Sequence, residues 1–250
     1  HKTNNKYIIV IPTVDYFSTS IYKSNYPKMK IFVTIVMLFP LLCFGQKQGN
    51  IWYFGGSFQN QSLPGAGIDF NTTTPTALTN SGMPYTEGCA AYCNSAGQLL
   101  FYANGSTVFD RTHNVMANGD SLKGHWSTMQ STLIVPVTGD TNKYYIFNND
   151  GVITSNGTGL HYSIIDMQQN ANLGAVMNPK AQNLVGNTSE QLTGCKHSNG
   201  RDFWVITTDH DSSFFYAFQV TPTSVLPPVI TNLGFNTTTR GTIEISPKAD

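Results

Sequence analysis

Between residues 88 and 220 one local pattern recurs: a short first run, a Gly/Asn turn, a run dense in aromatics, and a third run. Gly88-Cys-Ala-Ala-Tyr-Cys93 leads through Asn94-Ser-Ala-Gly97 into Gln98-Leu-Leu-Phe-Tyr-Ala103, and Asn104-Gly105 turns into Ser106-Thr-Val-Phe-Asp110. Ser131-Thr-Leu-Ile-Val-Pro136 leads through Thr138–Asn142 into Tyr144-Tyr-Ile-Phe147, then Leu160-His-Tyr-Ser-Ile-Ile165. Gly194-Cys-Lys-His197 leads through Ser198–Arg201 into Asp202-Phe-Trp-Val-Ile-Thr207, then Phe214–Val220. Short β-branched or aromatic runs bounded by turn residues are the signature of antiparallel strands. The aromatic runs recur near Leu100, Tyr145 and Phe203, irregular steps close to the ~40–50 residues of a propeller blade.

The fold class expected is therefore all-β. Charged residues make up 11% of the chain, against about 25% in an ordinary soluble domain. Asn, Thr, Ser and Gly fill the polar positions instead, which suits turns and strand surfaces better than helices. No stretch shows sustained 3.6-residue amphipathicity; the best helical candidate runs from Asp166 to Ala181. The architecture expected is an incomplete β-propeller of about three blades plus partial ones. Small residues (Gly88, Cys89, Ala90, Ala91) would fit innermost strands crowded at an axis, and bulky aromatics would fill the space between blades. Gly88–Cys93, Ser131–Pro136 and Leu192–His197 are the expected innermost strands of four-stranded sheets. Ile51–Phe54 and Ile68–Phe70 would belong to a preceding blade, and Thr242–Ser246 would begin a further first strand before a turn at Pro247–Asp250. On that reading residues 46–250 are a C-terminally truncated part of a longer protein. The alternative architecture is a β-sandwich pair.

The N-terminal region reads differently. Met29-Lys30 precedes an apolar run of 14 residues, Ile31–Phe44, followed by Gly45-Gln46. A basic start, a short apolar core and small residues at Cys43 and Gly45 describe a signal peptide, residues 29–45, cleaved before Gln46. The run is short for a membrane span, which needs ~20 residues, so no span is expected after cleavage. Leu42 stands where a lipoprotein signal needs a small residue. Residues 1–28 are expected to be translated upstream sequence with no part in the fold. Past residue 45 the chain carries 9 basic and 13 acidic residues, a net of −4. With no Lys/Arg run there is no electrostatic basis for nucleic-acid binding.

Several segments together resemble a known group. They are Asn50-Ile-Trp-Tyr-Phe-Gly55 with Gly67-Ile-Asp-Phe70, Glu87-Gly-Cys-Ala90, Leu99-Leu-Phe-Tyr102, Val108–Gly119, Gly194-Cys-Lys-His197 and Asp202–His210. In that order they resemble the N-terminal propeller-like region of large secreted Bacteroidetes proteins that carry a gliding-motility-associated, type B sorting domain. The resemblance implies type IX export to the cell surface, with the secretion machinery as a partner, and a binding or adhesive role. It implies no catalytic residues.

Candidate chemistry is sparse. Cys89, Cys93 and Cys195 remain after cleavage. Cys89 and Cys93 would lie about 13 Å apart in a strand, beyond the ~7 Å that a disulfide tolerates. Cys89 and Cys195 are read as equivalent positions in different blades, and all three as free thiols. Asp209-His-Asp211 is the densest polar cluster. Asp209 and Asp211 are the candidate metal ligands, for Ca²⁺, beside the simpler reading as a hairpin turn. Arg111-Thr-His113 reads as a turn. No nucleophile elbow, zinc-protease motif or phosphate loop occurs. A glycosidase needs two carboxylates in one cleft, and Glu87, Glu190, Asp110 and Asp202 are the acids available. Trp52, Trp126 and Trp204 are candidates for stacking on sugars. The function expected is a non-catalytic, secreted or surface-exposed module binding an extracellular glycan, polymer or protein, with no cofactor. The alternatives are a propeller hydrolase acting on polysaccharide and a structural spacer.

Overall fold

The computed structural model describes residues 46–57, 64–151, 157–234 and 241–246. The expectations for residues 1–28, for the signal peptide at 29–45 and for Pro247–Asp250 lie outside the described residues.

Among the described residues fifteen strands form four antiparallel sheets, each built from strands close in sequence. The first sheet holds β1 (Ile51–Tyr53), β2 (Gly65–Asp69) and β3 (Thr76–Ser81). The second holds β4 (Cys89–Cys93), β5 (Leu99–Asn104) and β6 (Val108–Asp110). In the third, β7 (Thr132–Pro136), β8 (Lys143–Asn149) and β9 (Leu160–Asp166) are joined at β9 by β10 (Ala175–Val176) and β11 (Gln182–Val185). The fourth runs β12 (Thr188–Lys196), β13 (Phe203–Asp209), β14 (Phe214–Val220), β15 (Val229–Asn232).

Alternation of side chains across each strand gives the inner sheets two apolar faces, and three cores lie in series. Ile51 and Tyr53 of the first sheet meet Tyr102 and Phe109 of the second. Phe101, Ala103 and Val108 point the other way, onto Tyr144, Ile146 and Ile165 of the third. Val135, Tyr145, Phe147 and Leu160 on the far face of the third sheet meet Leu192, Val205 and Phe218 of the fourth. Tyr102, Phe101 and Phe147 are among the largest fully buried side chains. Burying one such ring contributes roughly 1.5–3 kcal/mol, so the aromatic second strands carry much of the cohesion between sheets.

First strands also neighbour one another: β1 lies against β4, β4 against β7, and β7 against β12. The approach is close where β4 begins. A side chain on Gly88 would stand 2.5 Å from the Ser131 backbone nitrogen and 2.7 Å from the Thr128 carbonyl oxygen. The Ser131 hydroxyl donates to the Gly88 carbonyl at 2.8 Å. Gly88 is thus required by the contact between consecutive sheets.

Four expectations are corrected. Among the described residues the sheets have three, three, five and four strands, so of these sheets the fourth alone is four-stranded. Asp166–Ala181 is no α-helix. Asp166 Oδ1 accepts from the Gln168 amide at 2.9 Å, a single 3₁₀ turn covers Asn170–Asn172, and Ala175–Val176 then pairs with β9. Thr242–Ser246 has no strand assignment; its backbone is bonded instead to the Gln130 side chain. Finally, Cys89 and Cys195 are not equivalent. The hairpin after β4 closes from Asn94, and the hairpin after β12 closes from His197. Counting back from those residues aligns Cys195 with Tyr92, and Cys89 with Leu192.

Candidate functional site

The connections between sheets gather exposed polar and aromatic residues. Residues 82–88 join β3 to β4, and residues 111–131 join β6 to β7. The first connection is bonded to one carbonyl of the second: the Glu87 amide donates to the Trp126 oxygen at 2.9 Å, and the Thr86 hydroxyl shares its single proton between that oxygen at 3.2 Å and the Gly88 carbonyl at 3.1 Å. The second connection is anchored beneath. The His125 amide donates to the Asn149 carbonyl and the Thr128 hydroxyl to the Asp150 carbonyl at 2.7 Å. The Met129 amide donates to Glu190 Oε2 at 3.2 Å. His125 Nδ1 accepts from the Ser127 amide at 3.1 Å.

On this frame the Trp126 ring is 43% exposed. Tyr85 stands edge-on to it with ring centres 5.5 Å apart, and His125 leans against it at 5.2 Å. Glu87 Oε1 accepts from the Ser127 hydroxyl at 3.2 Å, and the Tyr85 hydroxyl reaches it at 3.5 Å. The cluster joins an exposed indole, flanked by two half-buried rings, to a carboxylate that accepts from a hydroxyl.

The other acids divide by role. Glu190 borders the same connection but is buried, with one oxygen committed to Met129. Asp110 holds its own turn, accepting from the Thr112 amide at 2.7 Å and the Thr112 hydroxyl at 2.6 Å. That makes Arg111-Thr-His113 a turn, with His113 at φ 69°. Asp202 closes the hairpin between β12 and β13. Hydrogen bonds from Arg201 (2.8 Å), Asn199 (2.9 Å) and Gln219 (2.7 Å) hold its carboxyl well below the usual carboxylate range.

Asp209 and Asp211 sit in the turn between β13 and β14. Asp209 Oδ1 accepts from the Asp211 amide and Oδ2 from the Tyr216 hydroxyl. Asp211 pairs with Asn187 at 3.2 Å and with His210 at 2.6 Å, which lowers its pKa. Among the described residues no group of three or more His, Cys, Asp or Glu side chains is placed to hold a metal ion. Cys89, Cys93 and Cys195 are free, and burial raises the pKa of the Cys89 and Cys93 thiols.

Trp52 and Trp204 lie on strands. Trp52 meets Phe70 at 5.1 Å on the outer face of the first sheet, and Trp204 stacks on His197 at 5.2 Å. Two concavities lie away from the Trp126 cluster. A groove of about 440 Å³ between the β4–β5 and β7–β8 turns is lined by Tyr92, Asn94, Asp140, Asn142 and Tyr144. Burial pushes the Tyr144 phenol up to about 12. A smaller one of about 280 Å³ is lined by Trp52, Phe54, Cys89 and Ala91 of the first strands.

Of the sugar-stacking candidates, Trp126 alone belongs to a connection. Tyr85, His125 and Ser127 were not foreseen. The available signal was an aromatic in a segment of turn composition, Asp120-Ser-Leu-Lys-Gly-His-Trp-Ser127, where no strand needs a ring. No protein-family model matches the chain, and neither does any curated protein or solved structure.

Proposed function

We propose that residues 46–250 form a non-catalytic binding or adhesion module, exported to the cell surface and built on the propeller plan. One observation carries the architectural part: each first strand neighbours the next while the sheets pack face to face in series. A β-sandwich pair would need two separate two-sheet cores; here the second and third sheets share a core of their own. In a radial arrangement the connections collect at the ends of the innermost strands, the place where such folds carry ligands.

The non-catalytic part rests on what the acids do. Glu190, Asp110 and Asp202 accept hydrogen bonds that hold turns and connections, and Glu87 is the exposed acid among the four. Export rests on the signal-peptide pattern of residues 29–45 and on the resemblance to surface proteins of the type IX route. Among the described residues no helix is long and apolar enough to cross a membrane.

The test uses the organism that encodes the chain. Protease treatment of intact cells should remove the protein, its mature N-terminus should be Gln46, and cells lacking it should adhere less to their substratum. Protection from protease in intact cells would overturn the surface reading, and a mature N-terminus before Met29 would overturn the cleavage site.

A further inference from the structure

We propose that the Trp126 indole with Glu87 is a binding site for neutral carbohydrate, an inference that rests on the binding-module reading above. Three observations carry it. First, Trp126 is a large ring held exposed by a rigid backbone. Its carbonyl accepts from the Glu87 amide and shares the Thr86 hydroxyl proton with the Gly88 carbonyl, and its neighbours on both sides are tied down. Among the described residues this indole is a member of none of the three cores. Rigid aromatic area of this kind favours binding because little entropy is lost when a ligand lands on it.

Second, among the described residues the rings beside Trp126 are inclined to it and do not face one point. Tyr85 is edge-on at 61° and His125 is inclined at 32°. A flat ring surface matches the C–H face of a pyranose. A cage for an organic cation needs several ring faces turned on one point.

Third, the polar groups beside the ring suit hydroxyls. Glu87 is exposed, its Oε1 accepts from the Ser127 hydroxyl with the Tyr85 hydroxyl at 3.5 Å, and its other oxygen is an acceptor for a sugar O–H. A carboxylate here disfavours anionic polysaccharides, as does the net charge of −4 past residue 45.

The experiment uses the full chain and soluble neutral oligosaccharides of the β-glucan, xylan, mannan and galactan classes. Binding is followed by calorimetry and by tryptophan emission. At least one class should bind and shift the emission. Trp126→Ala should weaken that binding at least about tenfold, as loss of an aromatic anchor does, and Glu87→Gln should weaken it less. Trp126→Phe keeps a ring and therefore the fold; it should retain binding by calorimetry while the emission change disappears. Trp52→Ala should leave both readouts unchanged. Absence of binding to every neutral class overturns the inference. So does an emission change that survives Trp126→Phe, or binding of tetramethylammonium in place of the sugars. Cell-surface exposure is measured independently. A surface protein that binds no neutral glycan loses only this inference, whereas a protein protected from protease loses the surface reading.

Discussion

The Gln130 side chain pairs with Ile243 as a neighbouring strand would: its Nε2 donates to the Ile243 oxygen at 3.2 Å and its Oε1 accepts from the Ile243 amide at 2.9 Å. The same Oε1 accepts from the Leu192 amide of β12 at 3.1 Å. One amide thus ties residues 241–246 to the start of the fourth sheet. Gln130→Ala removes all three bonds and should cost about 1–3 kcal/mol, because partners are left without a replacement. Gln130→Glu keeps the acceptor and loses the donor, so it should fall between. Chemical denaturation of the three proteins checks the order; equal midpoints for wild type and Gln130→Ala would refute the tie.

Thr132, Asn148 and His161 stand side by side across β7, β8 and β9 and are buried. Among the described residues neither Thr132 Oγ1 nor Asn148 Nδ2 has a hydrogen-bond partner. A buried hydroxyl without a partner costs about 1–3 kcal/mol, and Val has the shape of Thr. Thr132→Val should therefore leave the midpoint of thermal unfolding unchanged or raise it. A clear destabilisation would mean that the hydroxyl is bonded in solution.

His161 gives the row a pH dependence. Its Nε2 lies 3.2 Å from Asn183 Nδ2, which also donates to the Thr158 carbonyl, so Nε2 is the acceptor and the ring is neutral. Burial lowers its pKa; the Gly159 backbone and Asp150 oppose the shift, and Lys123 adds to it. A base with a depressed folded pKa binds fewer protons than its unfolded counterpart, so stability is full above the unfolded value of about 6.5 and falls as pH drops through the folded one. Wild type should lose melting temperature below about pH 6.5 more steeply than His161→Gln. Parallel pH profiles for the two proteins would exclude His161 as the source.

How far such elements could be read from sequence depended on what their residues bury. The run Phe214–Val220 is β14 to the residue, and the runs around Leu100, Tyr145 and Phe203 are β5, β8 and β13, because aromatic density and Asn/Gly turns mark half-buried strands. β3 and β15 left no such trace: Thr76–Ser81 is exposed except at Leu78 and Ser81, and Val229–Asn232 is exposed throughout. They are strands through backbone pairing, which side chains do not announce. The helical reading of Asp166–Ala181 failed for a related reason. Asn170, Ala171 and Asn172 adopt positive φ, a turn geometry, and β9 recruits Ala175–Val176 through its backbone edge. At the site, Trp126 was visible as a residue type. The Glu87 amide bond to Trp126 and the Ser127 hydroxyl bond to Glu87 join segments 39 and 40 residues apart, long-range contacts that local pattern does not encode.

The exposure of β15 has a consequence for association. Val229 and Ile230 are each 57% exposed, with Leu226, Leu233 and Phe214 also open to solvent. β15 is the edge of the fourth sheet, paired to β14 alone among the described strands. An apolar edge strand is a template for pairing with another chain, and natural edges are commonly guarded by a charge, especially Lys. Ile230→Lys supplies that guard. Ile230 lies opposite Tyr216, so the substitution forfeits a cross-strand contact of about 0.2–1 kcal/mol, a small loss of melting temperature. Concentration-dependent association, followed by sedimentation velocity, should fall in the variant. Association that is unchanged in Ile230→Lys but lost in Trp52→Lys would move the sticky surface to the outer face of the first sheet, where Trp52 and Phe70 meet.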